Sequence, residues 1–433
     1  MSKLSGFILI LMLIIACKTK QKTGTSQMNT TPTHSAITHP GSTQQFLAGL
    51  LNQNPQYFNH VINDPEYKVQ IIYSQIDRNR NGRAKFTDYY FNPDDSNYFY
   101  PASTVKLPVA LLALQKLNEL NMPGLDKNSM MITEAAFSGQ TEVYNDPGTP
   151  DGTPTIAHYI KKILLVSDND AFNRLYEFLG QEYINNALHR MGYSDVEIIH
   201  RLDISLTEEE NRHTNPVRFY DNTGKLVYEQ EAKQSQWIYT SRNTKLGKGF
   251  MRNGQLVNEP FDFSKKNRMT LKSLHGILRS VLFPEMISAS QRFNLTPDDY
   301  EFLRKYMSML PSESNYPFYN QEEFHDSYVK FLYYGNEKVP VQEGLRIFNK
   351  VGDAYGFLID GAYFADFKNQ VEFMLSAVIY CNRDGILNDN KYDYDSIGFP
   401  FMKHLGRVIY EYELKREKKV KPDLSTFIFD YTR

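Results

Sequence analysis

The tetrapeptide Ser103-Thr104-Val105-Lys106 opens a long apolar stretch, Leu107 to Leu117, and directly follows the aromatic run Tyr98-Phe99-Tyr100. An apolar run of this length predicts a buried helix over 103–120. Positions three apart on a helix share one face, so the Lys106 amine can reach the Ser103 hydroxyl and take its proton. The pattern therefore predicts a serine nucleophile that carries its own lysine base. The alternative is that two common residues meet this spacing by chance, and the tetrapeptide alone does not separate the two.

Two further short elements follow along the chain. Ser167-Asp168-Asn169 lies between helical patterns over 156–166 and 171–179, and Lys350-Val351-Gly352 lies in a strand-like apolar run that begins near Leu345. In this order and at these separations, the three elements resemble the S-x-x-K, S-D-N and K-T-G motifs of the class A β-lactamases and penicillin-binding proteins. The resemblance covers roughly residues 69–416 and includes a long insertion.

The resemblance implies an α/β (α+β) fold of the β-lactamase type, in which an antiparallel five-stranded sheet is flanked by helices and carries an inserted helical lobe. The residue pattern agrees with this at both ends of the chain. Clustered β-formers around Asn79-Arg80-Asn81-Gly82 predict a hairpin, and an amphipathic closing helix is predicted over 396–419. The expected strands are 69–76, 85–91, 345–351, 355–365 and 371–380.

The resemblance also implies catalytic roles for the matched positions. Ser103 would attack an acyl carbon and form a covalent ester, with Lys106 as its base. Lys106 must be partly neutral for this, and burial beside a second cation such as Lys350 lowers a lysine pKa in that direction. Ser167 would relay the proton to the leaving nitrogen.

The remaining matched positions would bind the substrate. Asn169 would hold a substrate amide, and Lys350 would present a cation to the cleft. Gly352 would let the substrate approach the strand, and the backbone N–H groups of Ser103 and Asp353 would form an oxyanion hole.

Two departures from the family pattern concern the substrate and the fate of the ester. Val351 stands where the family has a hydroxyl residue and cannot donate to a substrate carboxylate, so recognition of that carboxylate is weaker or comes from elsewhere. Class A enzymes hold the deacylating water with a glutamate and an asparagine. In the stretch 208–215 we assign Glu210 and Asn215 to these roles, although the family spacing does not select one glutamate. A solvated acidic turn or helix start is the alternative.

This ambiguity decides the expected reaction class. With an activated water, the acyl-enzyme turns over, and the chain is a serine hydrolase acting on a β-lactam or a related amide or ester. Without it, the adduct persists, as in a penicillin-binding D-alanyl peptidase. A catalytically silent binding module of the cell envelope is the rival hypothesis from a different class.

The N-terminus predicts an export signal. The apolar run Phe7–Ile15 is shorter than the roughly 20 residues that span a bilayer, and Ile14-Ile15-Ala16-Cys17 resembles a bacterial lipobox. We therefore predict a signal peptide over 1–17, a lipid on Cys17 and a flexible tether over 18–45 that is poor in large apolar residues. The protein would be anchored to a bacterial membrane in the cell envelope, on its periplasmic or surface side. The alternatives are an uncleaved anchor and an ordinary buried segment.

The hydrolase domain would occupy residues 46–433, with an insertion around 216–270. Turn signals at Asp221-Asn222-Thr223-Gly224 and Asn253-Gly254 predict a β-rich loop. This loop is either a flap over the site or a surface elaboration without a part in the chemistry.

Composition and motif searches exclude several other classes. The 433-residue chain is 41% hydrophobic, enough for a large core, and its net charge of −2 leaves no electrostatic footprint for nucleic acid. No H-E-x-x-H zinc motif and no G-x-S-x-G nucleophile elbow occur. We expect no metal or cofactor, a small-molecule or peptidoglycan-type substrate, and a monomer.

Overall fold

A computed structural model of the chain describes residues 40–431, with side chains from residue 45 onward. The predicted signal peptide, the lipidation site Cys17 and the tether up to residue 39 lie outside the described residues. The first helix begins at Pro40, within the last residues of the predicted tether. Within 40–431, no helix combines the length and the apolar character needed to cross a bilayer.

Helices and strands follow each other in the order of a mixed fold. The helices are α1 Pro40–Asn52, α2 Pro55–Ile62, α3 Lys106–Leu120, α4 Ile156–Val166, α5 Asn169–Leu179, α6 Gln181–Arg190, α7 Glu208–Arg212, α8 Leu271–Leu282, α9 Pro297–Ser308, α10 Phe331–Tyr334 and α11 Phe399–Lys415. The strands are β1 Gln70–Arg78, β2 Ala84–Phe91, β3 Met130–Thr133, β4 Val217–Tyr220, β5 Leu226–Gln230, β6 Lys245–Leu246, β7 Gly249–Arg252, β8 Gln255–Val257, β9 Phe261–Asp262, β10 Leu345–Ala354, β11 Phe357–Asp366, β12 Val371–Tyr380 and β13 Ile386–Leu387.

The main sheet joins the two ends of the described chain. Its strand order is β10-β11-β12-β1-β2, and every neighbouring pair is antiparallel. The pairing of β1 with β12 places Gln70 opposite Val378, so a strand from the start of the domain lies beside one from its end. The predicted five-stranded antiparallel sheet is confirmed. β11 begins at Phe357, two residues later than predicted, because Tyr355 and Gly356 take positive φ values of 53° and 83° in the turn before it.

Helices cover both faces of this sheet, which explains why β11 and β12 are buried along their whole length. On one face, α8 packs on β1, β11 and β12, and on the other, α11 packs on β12. Side chains alternate between the two faces along each strand. In β10, Phe348 therefore belongs to the core on the α8 side and Val351 to the core on the α11 side.

The helical lobe is organised around α3. This helix contacts α4, α5 and α8, and its residues from 106 to 115 are all buried. The predicted helix over 103–120 is present, but its first turn, Ala102–Val105, is a 3-10 turn. The predicted helices on either side of Ser167-Asp168-Asn169 correspond to α4 and α5.

The segment predicted as an insertion contributes strands to three small sheets, two of which also contain a strand from outside the segment. β3, β4 and β5 make one three-stranded sheet, β13, β7 and β8 make another, and β6 pairs with β9. The parallel pairing of β7 with β13 ties the segment to the loop that precedes α11.

Gly406 in α11 provides a test of the packing around this helix. An added Cβ at Gly406 would lie 2.6 Å from the backbone nitrogen of Tyr333 and 3.0 Å from the carbonyl carbon of Leu332. Backbone atoms cannot rotate away as a side chain can, so we expect Gly406→Ala to lower the free energy of unfolding by about 1–3 kcal/mol. Urea unfolding followed by circular dichroism measures this change.

Gly49 in α1 is the matched control. An added Cβ there meets no atom within 4 Å, so Gly49→Ala should raise the free energy of unfolding by up to about 1 kcal/mol through helix propensity alone. Equal unfolding midpoints for the two variants would contradict the close contact described for Gly406.

Candidate active site

Ser103 lies in the 3-10 turn that leads into α3. Side chains three residues apart eclipse each other in such a turn, which places Ser103 and Lys106 on the same side. Ala102, just before the serine, has a φ of 47°, a strained conformation for a residue other than glycine. The Ser103 side chain is partly buried and makes no hydrogen bond with any described residue, so its hydroxyl is available to a substrate.

The Lys106 side chain is fully buried, and oxygen atoms hold its amine. Nζ donates to the carbonyl oxygen of Ser167 at 2.5 Å and to Oδ1 of Asn169 at 2.6 Å. Burial lowers the pKa of Lys106 to about 7, although three nearby carboxylates act in the opposite direction, those of Asp168, Asp353 and Asp203. A large fraction of this amine is therefore neutral near pH 7 and able to accept a proton.

Ser167 ends α4 in a left-handed conformation, with φ 62° and ψ 38°. Asp168 follows as the N-cap of α5, where its carboxylate accepts from the Ala171 N–H at 2.7 Å. The turn directs the Ser167 hydroxyl between two amines. Its Oγ lies 3.3 Å from Lys106 Nζ and 2.8 Å from Lys350 Nζ.

Lys350 and Gly352 lie on β10, an edge strand of the main sheet, and face the helical lobe. A Cβ on Gly352 would lie 2.9 Å from both Pro101 O and the Ser103 backbone nitrogen. The strand therefore packs directly against the backbone of the turn that carries Ser103, and this close approach requires glycine. Burial first, and the charge of Lys106 second, lower the pKa of Lys350.

Val351 and Asp353 complete this end of β10. Val351 is buried in the apolar core on the α11 side, so it offers no side-chain donor to the cleft. Asp353 is exposed near the end of the strand, opposite Leu358 in register. The oxyanion roles of the Ser103 and Asp353 N–H groups stay predictions.

Asn169 connects the lysine to a carboxylate that the sequence analysis did not single out. Its Oδ1 accepts from Lys106, and its Nδ2 lies 3.2 Å from Oδ2 of Asp203. Asp203 is exposed and takes a positive φ of 56°. Nothing in the sequence near Asp203 signals a partner 34 residues upstream, so only the folded chain could reveal it.

Glu210 and Asn215 are not part of this group. The Glu210 carboxylate forms a capping box with Thr207 at the start of α7 and also accepts from Ser138 Oγ at 2.9 Å. Asn215 is buried, where it donates to Glu134 O at 2.7 Å and accepts from Arg201. Their roles in deacylation stay predictions, and in the structure both side chains are engaged in local structural contacts.

The arrangement brings together Ser103, Lys106, Ser167, Asn169, Lys350 and Gly352 from three distant segments. It can supply a hydroxyl nucleophile, a buried amine with a lowered pKa and a second hydroxyl that bridges two amines. Such groups are suited to acyl transfer through a covalent ester. No group of three or more His, Cys, Asp or Glu side chains within 40–431 could hold a metal ion.

The chain was compared with curated protein sequences and with solved structures. No curated protein matches the sequence. Solved structures that are similar include a β-lactamase from Xanthomonas campestris pv. campestris, with 11% identity, coverage of 85% of this chain and 98% of that one, and a TM-score of 0.45. A β-lactamase from Burkholderia phymatum has 12% identity, coverage of 86% and 98%, and a TM-score of 0.44. PBP-A has 14% identity, coverage of 84% and 96%, and a TM-score of 0.44.

A family model gives the assignment. The model described as the β-lactamase enzyme family matches residues 56–292, more than half of the chain. The matched range contains the Ser103 turn, the Ser167 turn and most of the helical lobe. The chain therefore belongs to the β-lactamase enzyme family.

Proposed function

We propose that this protein is a serine hydrolase that forms an acyl-enzyme on Ser103 from a β-lactam or a related amide or ester. The observation that carries the proposal is the convergence of the Lys106 and Lys350 amines on the Ser167 hydroxyl, together with a Ser103 side chain that makes no hydrogen bond with any described residue. A serine nucleophile needs a base and a group that relays the proton. A buried amine whose pKa is lowered to about 7 can be the base, and a hydroxyl can relay the proton.

The acylation step uses these groups in turn. Neutral Lys106 takes the Ser103 hydroxyl proton while Oγ bonds to the substrate carbonyl carbon, and the backbone N–H groups of Ser103 and Asp353 stabilise the resulting oxyanion. Lys106 then returns the proton through Ser167 Oγ to the leaving nitrogen or oxygen. The bond from the carbonyl carbon to that atom breaks, and an ester on Ser103 remains.

The engagement of Glu210 and Asn215 in local contacts favours a slow second step. Glu210 is held by Thr207 and Ser138, so its carboxylate is not free to position a water at Ser103. This supports a second candidate function, a penicillin-binding D-alanyl peptidase-like enzyme whose adduct with β-lactams persists.

We further propose that the protein is exported and anchored in the bacterial cell envelope through a lipid on Cys17. The support is the short apolar run before Cys17 and the residues around it, which resemble a lipobox. The substrate would then be encountered outside the cytoplasm, as expected for a peptidoglycan-type peptide or a β-lactam.

Incubation with a fluorescent penicillin, followed by intact-mass measurement, tests the acyl-enzyme. The wild-type protein should gain the mass of one penicillin, and Ser103→Ala should reduce the labelling rate at least about 10³-fold because the nucleophile is removed. A long-lived adduct favours the peptidase-like enzyme, and rapid hydrolysis favours the β-lactamase. No adduct and no turnover of β-lactams or simple esters would contradict the proposal and favour a silent binding module.

The lowered pKa of Lys106 predicts the pH dependence of acylation. The neutral amine is the reactive form, so the acylation rate should rise as pH increases through about 7 and level off above it. Stopped-flow labelling between pH 5.5 and 9 measures this profile. Lys106→Arg cannot deprotonate in this range and should lose about 10²- to 10⁴-fold in rate. A wild-type rate independent of pH would exclude Lys106 as the base.

The lipid anchor is tested by expressing the full chain in a bacterium that processes lipoproteins and labelling it with a clickable fatty acid. Wild-type protein should be labelled and sediment with membranes, whereas Cys17→Ser should lose both properties. Cys381→Ser is the matched control, because Cys381 is buried within the fold and should not carry the lipid. Labelling that survives in Cys17→Ser would exclude Cys17 as the anchor.

A further inference from the structure

A cavity of about 640 Å³ adjoins the candidate active site. Its lining contains none of the six site residues but includes Asp203, which accepts a hydrogen bond from Asn169. Tyr100, Asp203 and Tyr355 line it on the site side, and Tyr239, Lys265 and Lys266 line it from the segment predicted as an insertion.

Each of the three catalytic elements has a neighbour in this cavity. Tyr100 precedes Ser103 by three residues, and Tyr355 follows Gly352 by three residues at the end of β10. Asp203 accepts a hydrogen bond from Nδ2 of Asn169, and Oδ1 of Asn169 accepts one from Lys106 Nζ. Asp203 is therefore the lining residue that links the cavity to Asn169 and, through Asn169, to Lys106.

This position determines which part of a substrate the cavity can receive. In the proposed reaction the leaving group departs toward Ser167, which takes the proton from Lys106. The acyl part stays bonded to Ser103 and extends toward Asn169 and Asp203. An acyl chain long enough to pass Asp203 would enter the cavity.

Aromatic rings of Tyr100, His200 and Tyr355 form part of the cavity wall. Tyr355 packs edge-on against Tyr100 at 5.0 Å and is stacked with Phe261 at 5.5 Å. His200 lies parallel to Tyr100 at 6.0 Å and carries no charge, because burial lowers its pKa to about 3. The wall therefore offers flat apolar surface with no charge of its own.

The cations of the cavity differ in whether a carboxylate neutralises them. Arg201 pairs with Glu177 at 2.9 Å, and Lys265 pairs with Glu208 at 2.7 Å. Lys266 is partly buried, and its amine has neither an ion pair nor a hydrogen bond within the described part of the chain. Its Nζ lies 5.8 Å from the centre of the Phe261 ring. A partly buried ammonium without a counter-charge favours binding of an anion.

The carboxylates of the cavity lie at different places. Asp203 accepts from Asn169 and acts on Lys106, so it lies at the catalytic end. Asp262 accepts from the Ser264 N–H at 2.8 Å, and Glu208 is shared by Lys265 and Arg212. Asp203 can therefore accept a hydrogen bond from a substrate donor near the reacting carbonyl. Lys266 can bind a negative charge farther along the acyl chain of the substrate.

We propose that the cavity binds the acyl part of the substrate as an acylamino chain, with its N–H directed to Asp203 and an acidic group bound by Lys266. This rests on the proposed function, because it places the acyl carbon on Ser103. The substrate class is thus an amide or ester whose acyl side carries a carboxylate several bonds from the reacting carbonyl. This acyl-side carboxylate is distinct from the carboxylate that Val351 cannot bind, which lies on the leaving-group side of the substrate.

Two penicillins that differ only in one charge test the inference. One carries a glutaryl chain on the 6-amino group, and the other carries the corresponding glutaramoyl chain, whose terminal carboxamide is neutral. Their dissociation constants are measured by calorimetry on the Ser103→Ala protein, so that no reaction is needed. The glutaryl compound should bind about five- to tenfold more tightly, as expected for one partly buried ion pair.

Charge-removing variants at two adjacent lysines locate the effect. In the Ser103→Ala protein, Lys266→Gln should bring the two dissociation constants within about twofold of each other. Lys265→Gln is the matched control and should keep the preference, because Glu208 already neutralises Lys265. Lys266→Met repeats the test with a side chain of similar length. Equal binding of the two penicillins, or a preference that survives both Lys266 variants, would overturn the inference.

Acylation of the wild-type protein separates this result from the proposed function. An adduct on Ser103 that forms at the same rate with both penicillins, together with equal binding, refutes the anion subsite and leaves the acyl-enzyme intact. A charge preference in binding that depends on Lys266, without any adduct, supports the subsite and refutes acylation.

Discussion

The buried amine of Lys106 is the contact on which the candidate site depends. An amine removed from water needs hydrogen-bond acceptors, and the turn between α4 and α5 supplies two of them. These bonds tie the start of α3 to the turn that carries Ser167 and Asn169. The same burial that requires the partners also lowers the pKa of the amine. The structural role of this lysine and its capacity to accept a proton therefore have one cause.

The edge of the main sheet provides the other half of the site. β10 has a strand neighbour on one side, and its other side packs against the 3-10 turn of Ser103. Gly352 allows this contact because a Cβ would collide with backbone atoms. Lys350, two residues earlier on the same face, then reaches Ser167. The nucleophile is thus fixed by a helix start, a helix–helix turn and a strand edge that are far apart in sequence.

The segment predicted as an insertion shares a cavity with residues that lie close to the site in sequence or through hydrogen bonds. Tyr239, Lys265 and Lys266 come from this segment and line the cavity next to Tyr100 and Asp203. Of the two lysines from this segment that line the cavity, Lys265 pairs with Glu208, whereas Lys266 has no carboxylate partner among the described residues. Glu210 and Asn215 are held in local contacts, and Asp203 is a carboxylate that contacts Asn169.

The sequence by itself determined the elements and the order of the motifs. Apolar periodicity located α4 to the residue and the sheet strands within a few positions, because periodicity is a local property of the backbone. The Ser103–Lys106 spacing is likewise local. The tertiary structure alone decided the partners of Asn169, the engagement of Glu210 and the absence of a carboxylate partner for Lys266 among residues 45–431. Hydrogen bonds and ion pairs act over a few ångströms and join residues that are distant in the chain, so the linear order of residues does not encode them directly.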